Sequence, residues 1–227
     1  MKKIAVLLSG CGVYDGSEIH ESVLTILALE KKGFELTFLA PDIEQHHVID
    51  HTKGEEMNEK RNVLVEAARI ARGNIKPISS VSSDSFDGLV IPGGFGAAKN
   101  FTKWAFSGPE GEINADVKKF IIDTARAKKP ITAMCMAPVV LAKALSDTNI
   151  NASLTVGTTE DKSPYDIAAI SQGMENLGAK AKMCKVEEAI TDIENKIVTT
   201  PCYMMDTSIT AVNKGIEKAI DEFEKLL

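Results

Sequence analysis

The sequence predicts an α/β protein with a mostly parallel sheet and helices on both of its faces. Short apolar runs alternate with longer segments whose apolar residues recur at helical spacing, and glycine follows the first two of these segments. This alternation is typical of parallel strands joined by helical crossovers. With 227 residues the chain is expected to form one domain, residues 1–227.

The first half of the chain supplies three strands and three helices. Residues 4–9 are a short apolar run, and residues 17–32 repeat apolar side chains every three or four positions until Gly33. The other elements predicted here are a strand at 34–40, a helix at 62–72, a buried strand at 88–91 and a helix at 113–127. The polar stretch 42–60 between them is predicted to be irregular, as a lid or an interface loop.

The second half continues the alternation. The predicted elements are strands at 131–134, 154–157, 179–183, 189–193 and 197–200, and helices at 137–145, 165–177 and 208–227. Ligands of such folds bind beyond the carboxyl ends of the strands. Residues that directly follow strands are therefore the candidate site residues.

Composition excludes several classes of partner and location. A net charge of −6 argues against nucleic acid as a main partner and gives no reason to expect an anionic membrane surface. The four cysteines are scattered without metal-binding spacing, and no apolar run approaches the about 18 residues of a membrane span. The apolar stretch at 4–8 is too short for a signal peptide. We therefore expect a cytoplasmic protein with reduced thiols.

Cys135 is the strongest candidate for chemistry. It stands where the strand at 131–134 ends and the next helical segment begins. A strand, turn and helix in this order form a nucleophile elbow, and a helix start favours thiolate over thiol. The alternative is a buried core cysteine, since free cysteine is among the most buried residue types. Cys11, Cys184 and Cys202 are weaker candidates.

A glycine turn follows the strand at 88–91. Gly93 and Gly94 could form only a tight turn, or their amides could face a substrate oxygen as an oxyanion hole. In the second interpretation the amide groups of Gly94 and Met136 are the two donors. The glycine loop at 10–16 lacks the third glycine of a dinucleotide-binding fingerprint, so no nucleotide cofactor is expected.

Two carboxylates at the start of the first helix could serve Cys135. Ser17 is expected to cap that helix, and Glu18 and Glu21 are favoured there by the helix dipole alone. One of them could also face the thiol and move a proton, and burial beside a thiolate would raise its pKa.

Histidines limit the possible mechanisms. All four lie within the first 51 residues, so only His20 stays possible as a partner of Cys135. His46 and His47 are adjacent in a polar loop and are expected to be solvated, so no metal site is predicted.

These motifs together resemble the ThiJ/PfpI superfamily, which shares its fold with class I glutamine amidotransferases. The resemblance rests on Pro92-Gly93-Gly94-x-Gly96, on Cys135-Met136-Ala137-Pro138 and on the segment 16–21. Longer segments at 9–21, 61–70, 92–100 and 196–201 resemble the branch that contains enhancing-lycopene-biosynthesis proteins, which are also called glyoxalases. The resemblance implies a flavodoxin-like three-layer sandwich, a nucleophile at Cys135, a nearby helix carboxylate and a homodimer.

The resemblance also has departures. Counting from Gly16, the superfamily's helix carboxylate falls on Glu21, with Glu18 as the alternative. Met136 stands where the related peptidases carry histidine, and residues 200–203 lack the His-x-Glu of the amidotransferases. Both departures argue against peptidase and glutaminase chemistry, and a hydrolase of amides or esters lacks a base.

The function we expect is that of a cofactor-free, glyoxalase-like lyase acting on small dicarbonyls such as glyoxal. Cys135 would attack an aldehyde, Gly94 and Met136 would hold the oxyanion, and Glu21 or Glu18 would relay a proton. The alternative is a non-enzymatic stress-responsive or isoprenoid-associated regulatory protein whose Cys135 senses oxidants.

Overall fold

The computed structural model describes residues 1–227, which form eleven strands and seven helices. The strands are β1 (Lys3–Leu7), β2 (Glu35–Ala40), β3 (Ile49–Asp50), β4 (Glu55–Glu56), β5 (Ile75–Pro77), β6 (Gly88–Ile91), β7 (Ile131–Met134), β8 (Ser153–Gly157), β9 (Lys180–Met183), β10 (Ile190–Asp192) and β11 (Ile197–Thr200). The helices are α1 (Ile19–Lys31), α2 (Val63–Ile70), α3 (Trp104–Ser107), α4 (Ala115–Arg126), α5 (Pro138–Leu145), α6 (Ile167–Asn176) and α7 (Ile209–Leu226).

Seven strands form the central sheet in the order β10-β11-β7-β6-β1-β2-β5. Every neighbouring pair is parallel except β10 and β11, which are antiparallel. Helix α1 packs against α7, and α4 packs against α5, so helices surround the sheet. The prediction of a mostly parallel α/β sandwich of the flavodoxin-like type is confirmed.

The sheet brings its central strands to a common edge. The strands β6, β7 and β11 consist entirely of buried residues, as expected for parallel strands covered on both faces. Their register pairs Ile91 with Ala133 and Thr200 with Met134, so these three strands end side by side. The residues that follow them therefore meet beyond one edge of the sheet.

Part of the structure differs from the predicted elements. The stretch 42–60 contains the antiparallel pair β3 and β4, each of two residues, which is too short for a periodic pattern. The edge strand β5 was missed because it ends in Pro77, which is tolerated only at such an edge. The strands β8 and β9 form a separate parallel pair. None of the helices has the length and apolar character needed to cross a bilayer.

Phe223 offers a test of the packing between α7 and the sheet. Its side chain is fully buried and lies so close to Gly88 that a methyl group there would come within 2.6 Å of its ring. We expect Phe223→Ala to lower the free energy of unfolding by about 3–5 kcal/mol. Ile193→Ala, at a side chain that is 76% exposed, should change it by no more than about 0.5 kcal/mol. Urea denaturation of both variants checks this, and equal effects would contradict the packing described.

Candidate active site

Cys135 lies at a sharp turn between β7 and α5. Its N–H still donates to the carbonyl oxygen of Thr200 at 3.0 Å. The hydrogen bonds between β7 and β11 therefore extend to the cysteine itself. Its φ of 57° lies in the left-handed region, which costs a residue with a Cβ about 1–2 kcal/mol. The residue is 6% exposed, so the thiol is held beyond the strand end but largely out of water.

Glycines are required where the turn after β6 meets this thiol. A Cβ on Gly93 would overlap the Cβ of Cys135 and a carboxyl oxygen of Glu21, and it would lie 2.9 Å from Sγ. Gly94 has a φ of 104° and packs against the backbone at Ser17 and Glu18. The backbone N–H groups of Gly94 and Met136 lie close enough to the sulfur of Cys135 to lower the pKa of its thiol.

Glu21 connects three segments through one buried carboxyl group. Its Oε2 accepts the N–H of Gly93 at 3.0 Å, and its Oε1 accepts the N–H of Tyr203 at 3.1 Å. The carboxyl also hydrogen-bonds the thiol of Cys135. Complete burial, reinforced by the nearby charge of Glu18, raises the pKa of Glu21 to about 8. At neutral pH this carboxyl is therefore mostly protonated.

The acidity of Cys135 differs from the prediction that its position favours thiolate. Burial, and next the charge of Glu21, raise the pKa of this thiol well above its usual value. The N–H groups of Gly94 and Met136 lower the pKa by less than burial raises it. Helix α5 begins only at Pro138, so its dipole acts from three residues away, and desolvation outweighs it. The site therefore holds a thiol beside a carboxyl group.

Glu18, the second carboxylate, occupies the cap position that the sequence suggested for Ser17. Its Oε2 accepts the N–H of Glu21 at 2.6 Å, while the hydroxyl of Ser17 accepts the N–H of Ser9. Ser17 is fully buried, and its hydroxyl contacts Ser9 and not the helix that it was expected to cap. Burial also raises the pKa of Glu18.

A cleft of about 830 Å³ opens beside this arrangement. Glu18, His20 and Tyr203 line one part of it, and Nδ1 of His20 lies 3.0 Å from the hydroxyl of Tyr203. Tyr165 also lines the cleft, and its pKa rises to about 12, mainly through burial and then through the charge of Cys135. Cys135 and Glu21 do not line the cleft themselves, and Glu18, which accepts the N–H of Glu21, connects its wall to them.

The structure brings the main candidate residues from the sequence into one region. Cys135, Glu21, Gly93, Gly94 and Met136 are in direct contact, and Glu18 and His20 line the adjoining cleft. Tyr203 and Tyr165 were missed, because aromatic residues in loops carry no signal of their own.

Cys202, a weaker candidate from the sequence, has a setting similar to that of Cys135. It follows β11, has a φ of 49° and is fully buried. Its pKa is raised by burial and by the charges of Glu21 and Cys135. Its position two residues after the end of a strand was the available signal. Cys11 and Cys184 lie elsewhere, since the charges that act on them come from Glu66 and Glu188.

Comparison with known proteins identifies relatives over nearly the whole chain. Residues 2–159 match the DJ-1/PfpI family. A human protein, "Glutamine amidotransferase-like class 1 domain-containing protein 3, mitochondrial", is 43% identical over 94% of this chain and 79% of its own. The rat "ES1 protein homolog, mitochondrial" is also 43% identical, over 94% of this chain and 80% of its own.

A solved structure extends the similarity to three dimensions. The isoprenoid biosynthesis protein with an amidotransferase-like domain from Ehrlichia chaffeensis superposes with a TM-score of 0.90 at 34% identity. The alignment covers 100% of this chain and 99% of that one. The class I glutamine amidotransferase-like fold expected from the motifs is therefore present.

The relatives' names contradict the predicted cytoplasmic location, which is wrong by this comparison. Both mammalian relatives are named mitochondrial. The prediction depended on the absence of the long apolar region that secretory signal peptides contain. A search for that region can detect secretion only. Mitochondrial import uses amphipathic, arginine-rich leaders, which that test cannot detect.

The coupling between the carboxyl of Glu21 and the thiol of Cys135 predicts how the reactivity of Cys135 depends on pH. Glu21 ionises near pH 8, and its negative charge then keeps the thiol protonated at higher pH. Glu21→Gln removes this charge, so we expect alkylation of Cys135 by iodoacetamide to begin at lower pH than in the unaltered protein. Mass spectrometry of the modified peptide measures the extent of alkylation at each pH.

Glu18→Gln is the control, because Glu18 is not among the groups that shift the pKa of Cys135. It should move the alkylation profile less than Glu21→Gln does. A profile that Glu21→Gln leaves in place, or moves to higher pH, would contradict the coupling of the two groups.

Proposed function

The chain belongs to the DJ-1/PfpI family, and on that premise we propose that it is a cofactor-independent enzyme of the glyoxalase type. The family includes glyoxalase- and deglycase-type proteins, stress-responsive proteins and enzymes with a cysteine nucleophile. The observation that carries the proposal is the position of one sulfur, that of Cys135. It lies between a proton-accepting carboxyl group on Glu21 and the N–H groups of Gly94 and Met136. The substrates are small dicarbonyls such as glyoxal, and the products are 2-hydroxy acids such as glycolate.

The first step is addition of the thiol to an aldehyde. A bond forms between the sulfur of Cys135 and the carbonyl carbon, and the π electron pair moves to the oxygen. The thiol proton passes to the ionised form of Glu21, and the N–H groups of Gly94 and Met136 stabilise the new oxyanion. Glu21 then gives this proton to the oxyanion, which yields the hemithioacetal and restores the carboxylate. Because the pKa of Glu21 is about 8, its ionised, proton-accepting form is the minority at neutral pH and increases as the pH approaches 8.

The second step moves a proton between the two carbons of the hemithioacetal. The carboxylate removes the C–H proton, the freed electron pair forms a C=C bond, and the π pair of the neighbouring carbonyl moves to its oxygen, which takes the proton to give an enediol. The carboxylate then removes the proton from the hydroxyl on the sulfur-bearing carbon and delivers it to the neighbouring carbon. One carbon becomes a thioester and the other an alcohol, so the internal oxidation and reduction balance. Water then cleaves the C–S bond, releasing glycolate and the thiol. Glu21 contacts the sulfur, while Glu18 lines the cleft. Because of this contact, we assign the proton relay to Glu21 first.

The alternative of an oxidant sensor is less well supported by the site. Sensor cysteines are accessible and have a low pKa, which lets the thiolate meet peroxide. Cys135 is 6% exposed, and burial raises its pKa. A carboxyl group that removes the proton as a bond forms suits a nucleophile better than a sensor.

A narrower assignment follows from the Ehrlichia relative. That protein is described as an isoprenoid biosynthesis protein, and this agrees with the resemblance to enhancing-lycopene-biosynthesis proteins. We propose that the chain belongs to this branch of the family and that its activity accompanies isoprenoid metabolism.

We also propose that the protein is a homodimer that associates through α1. Ile19, Val23 and Leu27 recur at every fourth position of this helix and are 46%, 51% and 45% exposed. It is energetically unfavourable to leave such an apolar stripe exposed to water. Val65 on α2 is a further exposed apolar side chain, with 62% of its surface exposed. A second copy would cover it through the same face of its own helix.

Steady-state kinetics with glyoxal test the proposed reaction. We expect Cys135→Ser to lose roughly a hundredfold or more of the turnover, because the nucleophile is gone, and Glu21→Gln to lose a similar factor. Cys184→Ser is the matched control, since this buried cysteine does not contact the site and should leave the turnover unchanged.

Three outcomes would change the proposal. Full turnover by Cys135→Ser would rule out the covalent mechanism. Activity retained in Glu21→Gln but lost in Glu18→Gln would transfer the proton relay to Glu18. Negligible turnover by the unaltered protein, together with a sulfinic acid on Cys135 at low peroxide, would favour the sensor.

The dimer is tested by placing a charge on the exposed face of α1. We expect Val23→Glu to convert the protein to a monomer, because a dimer would bury this position against its own copy. Analytical ultracentrifugation measures the mass, and Ile193→Glu, another exposed apolar position, should leave it dimeric. A monomeric unaltered protein would refute the proposal.

A further inference from the structure

The cleft beside Cys135 is much larger than a two-carbon dicarbonyl requires. Its volume of about 830 Å³ lies in the range in which protein pockets enclose drug-sized ligands. Glyoxal would fill a small part of it and contact few of the walls. The size of the cleft therefore indicates a substrate with a body beyond its aldehyde.

The walls of the cleft show the character of that body. Phe95 and Tyr165 meet edge to face with their ring centroids 5.7 Å apart, and Tyr14 also lines the cleft. Ile49 and Gly54 from the β3–β4 hairpin contribute a further part of the lining. Aromatic and apolar walls of this kind favour a flat or apolar group, such as a ring.

A single lysine stands among these walls. Nζ of Lys99 donates to the carbonyl oxygen of Tyr14 at 2.8 Å and lies 5.5 Å from the centre of the Phe95 ring. Lys99 forms no ion pair, and the acids that act on it from a distance are Asp15 and Glu56. An ammonium group has three N–H donors, so two remain for a ligand. This partly buried cation lacks a charged partner that a ligand could supply.

Two charged side chains of opposite sign line the cleft. Glu18 accepts the N–H of Glu21, whose carboxyl lies against the thiol of Cys135, so this part of the wall adjoins the thiol. Nζ of Lys99 lies over the Phe95 ring, and the same ring packs against Tyr165. A ligand that lies along Phe95 and Tyr165 could therefore place its electrophile toward the wall at Glu18 and a negative charge on Lys99.

We infer that the substrate is an anionic 2-oxoaldehyde whose aldehyde meets Cys135 and whose carboxylate or phosphate binds Lys99. Its body lies along Phe95 and Tyr165. The inference rests on the proposed glyoxalase-type function and adds the class of substrate and a specificity-determining residue. Lys99 contacts the remote anion and takes no part in the bonds that form or break.

Matched substrates test this assignment. Phenylglyoxal and 4-carboxyphenylglyoxal differ only in one carboxylate, and initial rates avoid slow side reactions with arginine. We expect kcat/KM to be about tenfold higher for the carboxylated compound, because a charge-assisted hydrogen bond to Lys99 forms only there. Lys99→Met should reduce this ratio to about one, mainly through KM, and Lys99→Arg should restore most of it.

Lys103→Met is the control variant. Lys103 is a neighbouring lysine whose Nζ contacts His46 and the carbonyl oxygen of Lys99, and it does not line the cleft. This variant should keep the preference for the carboxylated substrate. Loss of the preference in Lys103→Met but not in Lys99→Met would overturn the assignment.

A second pair of substrates identifies the anion. Hydroxypyruvaldehyde phosphate and hydroxypyruvaldehyde differ by one phosphate. A larger effect of the phosphate than of the carboxylate, again dependent on Lys99, supports a phosphorylated aldehyde. The reverse supports a carboxylated one, and no effect of either anion overturns the inference.

Binding of unreactive products separates this inference from the proposed function. Calorimetry compares 4-carboxymandelate with mandelate on the unaltered protein. Turnover of phenylglyoxal without any preference for the anion would refute the inference and leave the glyoxalase function standing. Absence of all turnover, with tighter binding of 4-carboxymandelate that Lys99→Met abolishes, would refute the function and support the anion site.

Discussion

The buried carboxyl group of Glu21 is the contact on which the rest of the site depends. It accepts N–H groups from Gly93 and Tyr203 and hydrogen-bonds the thiol of Cys135. A buried carboxyl without these partners would cost several kcal/mol, roughly 2–7 for a neutral polar group. The same contacts therefore stabilise the group and fix the relative positions of helix α1 and the turns after β6, β7 and β11.

Two opposing effects meet at the sulfur of Cys135. Backbone N–H groups favour its anion, but burial and the neighbouring acid favour its neutral form by more. A thiol held in this way is protected from adventitious oxidants, because they react with thiolate. In the proposed reaction it becomes nucleophilic when the proton leaves as the new bond forms, which requires the acceptor to be in contact beforehand. Strain at the elbow and the absence of a side chain at Gly93 provide that contact.

Sequence patterns predicted the sheet better than the cleft. The strands at 88–91, 131–134 and 197–200 were predicted to the residue, because each is a short apolar run with a clear end. The position after a strand also pointed to Cys135 and Gly94. The raised pKa of Cys135 could not be predicted, because it depends on burial by segments distant in sequence. Tyr165 and Lys99 were missed for a similar reason, since the folded chain alone brings them to one wall.

The contacts of Glu21 also set the moment at which the reactive group comes into being. They join positions 21, 93, 135 and 203, so the last of them follows β11, the final strand of the sheet to leave the ribosome. A nascent chain that lacks this turn has Cys135 but leaves one carboxyl oxygen of Glu21 without its donor. If Cys135 acts as proposed, chemical competence is therefore acquired late in biosynthesis, after the strands that frame the thiol have been made.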